Sequence, residues 1–172
     1  DSLITAKKNG LADHCLNLDL FKEDWIKGLS TKVKLKDIDI VVAGPPCQGF
    51  SLTGPRKLGD KRNALYKAVY ELVRKAKPKA FLIENVKGMA TLYNGKVKED
   101  IVQEFTKLGY KVTTKILNSK DFGVPQSRER LFYIGLKEKE FEFPLPLFNK
   151  DEYTTCKEAL EDLPSLENLE ET

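Results

Sequence analysis

Cys47 and Glu84 are the side chains whose type and setting best suit chemistry. The cysteine lies in Gly44-Pro45-Pro46-Cys47-Gln48-Gly49-Phe50-Ser51, directly after the β-branched apolar run Ile38-Asp39-Ile40-Val41-Val42-Ala43. Runs of this kind fill parallel sheets, and ligands of such sheets bind beyond the carboxyl ends of the strands, so the thiol is expected at a mouth. Pro45 and Pro46 fix their own φ and hold the residue before each extended. The turn is therefore stiff and presents a nucleophile without an ordering cost. Taken alone, a free cysteine at a strand end is better described as a small buried hydrophobe, its usual fate. A second apolar run, Ala80-Phe81-Leu82-Ile83, ends in Glu84-Asn85-Val86 and brings a carboxylate to the same kind of position. A thiol with a carboxylate nearby offers a nucleophile and a general acid or base.

The elements that must position these groups follow from periodicity. Leu65, Val69, Leu72, Val73 and Ala76 recur at helical spacing and Pro78 closes that helix, which gives a β-α-β unit with a right-handed crossover. The strands ending at Ala43 and Ile83 are then parallel neighbours, and Cys47 and Glu84 face one pocket. Val97 to Leu108 reads as a second amphipathic helix, with Ile101, Val102, Phe105 and Leu108 on one face and Gly109 as its C′ residue. Tyr110 to Leu117 reads as a strand, Asp121 to Pro125 as a turn, and Arg130 to Gly135 as a strand returning beside it, an antiparallel pair at the sheet edge. Upstream, Asp1 to Gly10 has no clear period, while Asn17-Leu18-Asp19-Leu20 reads as a strand end followed by a helix through Trp25. Downstream, Phe141 to Pro146 leads out and Thr155 to Leu163 reads as a short acidic helix. The class is α/β.

With 172 residues and 41% hydrophobic content, one α/β core is the expectation. No apolar run approaches the length of a membrane span, and the first residues lack a signal-peptide pattern, so a cytoplasmic protein is expected, at the nucleoid if the source is bacterial. Three cysteines without C-x-x-C spacing and a single histidine, His14, predict neither disulfides nor a metal site. His14, in a polar stretch, also argues against a cysteine hydrolase. The net charge of +3 is unequally spread: Gly54 to Gly88 holds ten Lys/Arg against three Asp/Glu, and Glu138 to Thr172 holds three against eleven. Lysines along the helix suit a solvated face, whereas Arg56, Lys57, Lys61 and Arg62 lie in the loop after the cysteine, where a phosphate backbone would pass.

Pro46-Cys47-Gln48, Glu84-Asn85-Val86 and Gln126-Ser127-Arg128-Glu129-Arg130, in that order and spacing, resemble the DNA (cytosine-5) methyltransferase family. The resemblance runs from about Asp19 to Leu163. It implies a partial Rossmann-like methyltransferase sheet, mostly parallel with an antiparallel edge pair, and S-adenosylmethionine as methyl donor. Carbon 5 of cytosine is a poor nucleophile until a thiolate adds at carbon 6 and turns the ring into an enamine. By resemblance Cys47 supplies that thiolate and Glu84 serves ring nitrogen 3 and the exocyclic amine. Arg128 holds the base carbonyl, and Arg130 supports it or reaches a phosphate. A stacked base is out of reach, so the target must flip out, and Pro46, Gln48, Ser51 and Thr53 are candidates to hold it and its phosphate. Asp19 and the backbone near Leu65 would meet the adenine of the donor.

The family opens with a Gly-rich strand-to-helix turn for the methionine end of the donor, and none precedes Asp19. Whole members continue beyond the arginine motif into a target-recognition domain. The expectation is therefore an incomplete catalytic domain over 1–172, with a cofactor-side lead-in at 1–36, the catalytic core at 37–136 and an acidic exit segment at 137–172. Double-stranded DNA is the expected substrate and the missing N- and C-terminal parts of the same enzyme the expected partners. An RNA cytosine methyltransferase of the tRNA-modifying branch, and a silent fragment that binds nucleic acid or a partner through the basic loop, stay open. With half the donor site absent, the isolated 172-residue chain should bind S-adenosylmethionine negligibly and tend to pair through exposed apolar edges. Titration calorimetry with a sizing measurement checks this, and micromolar binding by a clean monomer would contradict it.

Overall fold

The computed structural model describes residues 2–46 and 64–163. In chain order these form α1 (Ser2–Lys8), α2 (Trp25–Ser30), β1 (Ile40–Ala43), α3 (Ala64–Ala76), β2 (Ala80–Val86), α4 (Lys96–Lys107), β3 (Lys111–Asn118), β4 (Glu129–Leu136) and α5 (Cys156–Ala159). The four strands make one sheet in the order β1-β2-β4-β3. β1 and β2 are parallel, with Ala43 beside Ile83, as the single intervening helix requires. β4 is antiparallel to both of its neighbours, so β1, β2 and β3 run the same way and β4 is reversed between β2 and β3.

α3 and α4 lie on the same face of the sheet. The core joins Val69 and Val73 of α3, Ile101 and Phe105 of α4, Phe81 and Ile83 of β2, and Leu131 and Tyr133 of β4. Phe105 stands 4.3 Å, centroid to centroid, from Phe81, and Tyr66 and Tyr70 of α3 meet it edge-on. Burial of each such phenylalanine contributes about 2–3 kcal/mol. The Tyr110 hydroxyl donates to the Pro78 carbonyl at 2.7 Å, tying the entry of β3 to the end of α3. α4 closes as the sequence indicates: Gly109, at φ +87°, donates to the Thr106 carbonyl and Tyr110 to that of Phe105, the paired bonds of a Schellman cap.

Some expectations are revised. Residues 2–8 form a helix despite lacking an apolar period, and none of them is buried. Asn17 to Leu20 is not a strand, and the helix starts only at Trp25. The reason is local: Asp19 captures the N–H of Phe21 on its carboxylate and that of Lys22 on its carbonyl, which bends the chain into a turn. The acidic helix near the C-terminal end is four residues long, started by a capping box between Thr155 and Glu158. β1 reads as a buried strand, but Ile40 and Val42 are 60% and 70% exposed, because no described helix covers the second face of the sheet.

Phe81 and Gly135 are register partners. A Cβ at Gly135 would run into the Phe81 ring, so the glycine gives the aromatic its place. Gly135→Ala is expected to lower stability by about 1–3 kcal/mol through overpacking. Urea unfolding should show a lower midpoint at unchanged slope, and an unchanged midpoint would mean that the ring moves aside freely.

Candidate active site at the strand ends

Glu84 is the fifth residue of β2, and alternation puts it on the sheet face that α3 and α4 leave open. Its register partner is Phe132, and Arg130, two residues earlier on β4, lies diagonally across from it. Arg130 Nε reaches Glu84 Oε1 at 2.8 Å, with the side chains 23% and 34% exposed. A partly exposed pair of this kind contributes about 1 kcal/mol or less, so its effect is chiefly to orient the carboxylate. Arg130 Nη1 also donates to the Glu129 carbonyl at 2.8 Å, which fixes the guanidinium. Glu129 is turned the other way by the same alternation and pairs with Lys87. The R-x-R spacing thus puts two arginines on one face and excludes the carboxylate between them.

Arg128 precedes β4 and is exposed. Among the described residues its guanidinium makes no hydrogen bond or ion pair. With Glu84, Leu117, Asn118, Arg130 and Phe132 it lines a cavity of about 280 Å³. Three of the sequence candidates, Glu84, Arg128 and Arg130, are therefore brought together.

The turn after β1 is fastened to this cluster. Asn85, 4% exposed, donates from Nδ2 to the Pro45 carbonyl at 3.1 Å. Its Oδ1 accepts from the Val86 N–H at 2.9 Å, so both ends of the amide are used. A Cβ on Gly44 would lie 3.7 Å from Glu84 Oε2, which places the carboxylate against the same turn. Pro46 is exposed at the end of this anchored segment. Cys47, Gln48, Ser51 and Thr53, with the basic residues Arg56, Lys57, Lys61 and Arg62, lie outside the described residues. The sequence reading gave Asn85 no task. A polar residue between apolar Ile83 and the strand end, on the covered face, was the available signal.

The residues expected at the donor site are apart from this cluster in the chain. Asp19 is exposed, and its Oδ1 accepts from Phe21 N at 3.0 Å, the local turn role. Leu65 is half-buried in the first turn of α3.

A family model described as C-5 cytosine-specific DNA methylase matches residues 13–172. The chain is 44% identical over 144 residues to the Type II methyltransferase M.DdeI of Desulfomicrobium norvegicum, a match spanning 79% of this chain and 35% of that protein. It is 40% identical over 159 residues to the Type II methyltransferase M.AquIA of Picosynechococcus sp., spanning 78% of this chain and 64% of that one. A solved structure of a candidate DNA modification methyltransferase encoded within an E. coli prophage superposes with a TM-score of 0.65 at 29% identity, covering 86% of this chain and 41% of that chain. The S. pombe Dnmt2 methyltransferase shares the fold, with a TM-score of 0.53 at 23% identity over 74% of this chain and 38% of its own. The chain spans about a third of the length of M.DdeI and of the Haemophilus parahaemolyticus M1.HphI.

The Asn85 tether makes a specific expectation. Asn85→Ala leaves the Pro45 carbonyl unpaired and should cost about 1–3 kcal/mol, and Asn85→Asp, which sets a carboxylate against that carbonyl, should cost at least as much. Denaturant unfolding of both variants checks this. Equal stability of Asn85→Asp and the parent would rule the tether out.

Proposed function

Since this chain belongs to the C-5 cytosine-specific DNA methylase family, we propose that it carries the catalytic groups of an enzyme that methylates carbon 5 of a flipped cytosine in DNA. The observation that supports this reading is the convergence of Glu84, Arg128 and Arg130 on one cavity beside the anchored Pro45 turn, one residue short of Pro46-Cys47. In the proposed reaction the Cys47 thiolate adds to carbon 6 of the base. Glu84 serves ring nitrogen 3 and accepts from the exocyclic amine, so that charge arising in the ring is met by a positioned group. Arg128 donates to the base carbonyl. Arg130 holds Glu84 by the 2.8 Å contact and so sets the orientation of the acid. Once carbon 5 carries the methyl group, loss of its proton to water re-forms the double bond between carbons 5 and 6 and lets the thiolate leave.

S-adenosylmethionine, when bound, supplies an electrophilic methyl group. Two groups in the chain fit its adenine edge, which offers an amine donor beside a ring-nitrogen acceptor. The Asp19 carboxylate, exposed and held by its turn, can accept from the amine. The Leu65 N–H, in the first turn of α3 and so without an intrahelical acceptor, can donate to the ring nitrogen.

The test uses the full-length protein with S-adenosylmethionine and a cytosine-containing DNA duplex, with an RNA substrate in a parallel arm. Cys47→Ser should abolish methyl transfer and leave DNA binding largely intact, because a hydroxyl at its ordinary acidity does not replace a thiolate. Glu84→Gln should slow transfer about 10²-fold or more. Full activity of Cys47→Ser would remove the cysteine from the mechanism, and transfer confined to the RNA arm would reassign the substrate.

A further inference from the structure

Arg128 stands just outside the β-ladder. The last Cα pair between β3 and β4 is Asn118 with Glu129, so Arg128 falls on the next rung, where the ladder is only half made. One of its two bonds is made by backbone, the other by a side chain. Asn118 Oδ1 accepts from the Arg128 N–H at 3.0 Å, and the Arg128 carbonyl accepts from the Ser119 N–H at 3.1 Å. The same Oδ1 accepts from Lys120 N at 3.4 Å, and Asn118 Nδ2 donates to Ser127 Oγ at 3.3 Å. The Asn118 amide therefore supplies the half of the rung that the backbone leaves unmade, beside the Ser119 Oγ bond to the Gln126 carbonyl that also bridges the connection.

The rest of that connection is held independently. Ser119–Phe122 is a 3₁₀ turn ending at Gly123, whose φ is +85°. The carbonyl of Asp121 accepts from Leu147 N at 2.8 Å and from Phe148 N, and its carboxylate accepts from the Tyr153 hydroxyl at 2.8 Å. The bond to Asp121 pushes the Tyr153 phenol up, so it stays a donor. The Phe148 ring lies against Gly123. The tip of the loop is thus strapped by residues 147–153, and its neck is closed by the Asn118 side chain together with the two Ser119 bonds to Arg128 and Gln126.

We infer that Asn118 is the positioning residue for Arg128: by holding the Arg128 N–H it fixes the direction in which the backbone presents the guanidinium, unpaired among the described residues, to the Glu84 cavity. The inference rests on the reading above, in which Arg128 meets the cytosine carbonyl. Because the strap holds the tip separately, loss of the Asn118 side chain should loosen the arginine without unfolding the loop.

The experiment is a double-mutant cycle in the full-length enzyme, with kcat/KM for transfer to duplex DNA and the melting temperature read for every variant. N118A should lower kcat/KM by about tenfold to a hundredfold, the scale of a misplaced catalytic group. N118D keeps the acceptor for the Arg128 N–H and should retain most of the activity. In the R128A background, N118A should change kcat/KM by less than about twofold, since the group it positions is gone. A penalty as large in R128A as in the parent overturns the inference, as does N118D failing as badly as N118A at an unchanged melting temperature. If N118A does not fold, N118S enters the same cycle, and failure of both to fold would assign Asn118 to the fold and overturn the positioning role. R128A with full activity would instead sink the role of Arg128 itself, and a parent enzyme that transfers no methyl group would sink the reaction.

Discussion

β2 is hydrogen-bonded on both sides, to β1 in parallel and to β4 antiparallel, and this double pairing holds its alternation in place. Phe81, Ile83 and Asn85 are buried, while Glu84 lies between them on the open face. The same strand therefore anchors the core through its odd residues and points the acid through an even one. Without the two ladders the strand could rotate or slip, and the core and the cavity would be lost together. The helices contribute indirectly: Phe105 of α4 packs on Phe81 and so bears on the strand from the covered side.

Side-chain amides finish what the ladders leave incomplete. Asn85 and Asn118 each sit near the carboxyl end of a strand, and each offers an acceptor and a donor at the end of one short arm. Asn85 uses them to tie the Pro45 carbonyl to β2, and Asn118 to tie Arg128 and Ser127 to β3. Both join a segment that carries a side chain of the proposed reaction to a strand of the sheet. Such bonds are modest, about 1 kcal/mol each in stability, but they act on geometry, on which proton and charge placement depend.

Much of this was legible in the sequence. The helical spacing from Leu65 to Ala76 between two apolar runs specified the parallel pair, and the family resemblance carried by Glu84-Asn85-Val86 and Gln126 to Arg130 pointed to three of the groups around the cavity. The position of β4 between β2 and β3 was not legible in the same way. Arg130 to Gly135 declares itself a strand, but which strands flank it is decided by packing far away in the chain, at Phe81 and Gly135. Asn85 and Asn118 were unreadable as tethers for a related reason. Asparagine is common at strand ends, and only the carbonyl or N–H that comes to meet it shows its task. Asp19 illustrates the converse, a residue whose capacity to form a turn overrode the strand and helix pattern around it.

The pairing of Phe81 with Gly135 reaches as far as the electrostatics of the cavity. A shift of β4 by one residue would exchange the faces of all its side chains, turning Glu129 toward Glu84 and Arg128 and Arg130 away from it. The pocket would change from one acid among two cations to an anionic cleft, repellent to any polyanion. Such a shift would also bring Ile134 or Leu136 under the Phe81 ring, where even a single added carbon has no room. The sign of the charge that a ligand meets is thus guarded by a glycine on the opposite, dry side of the sheet.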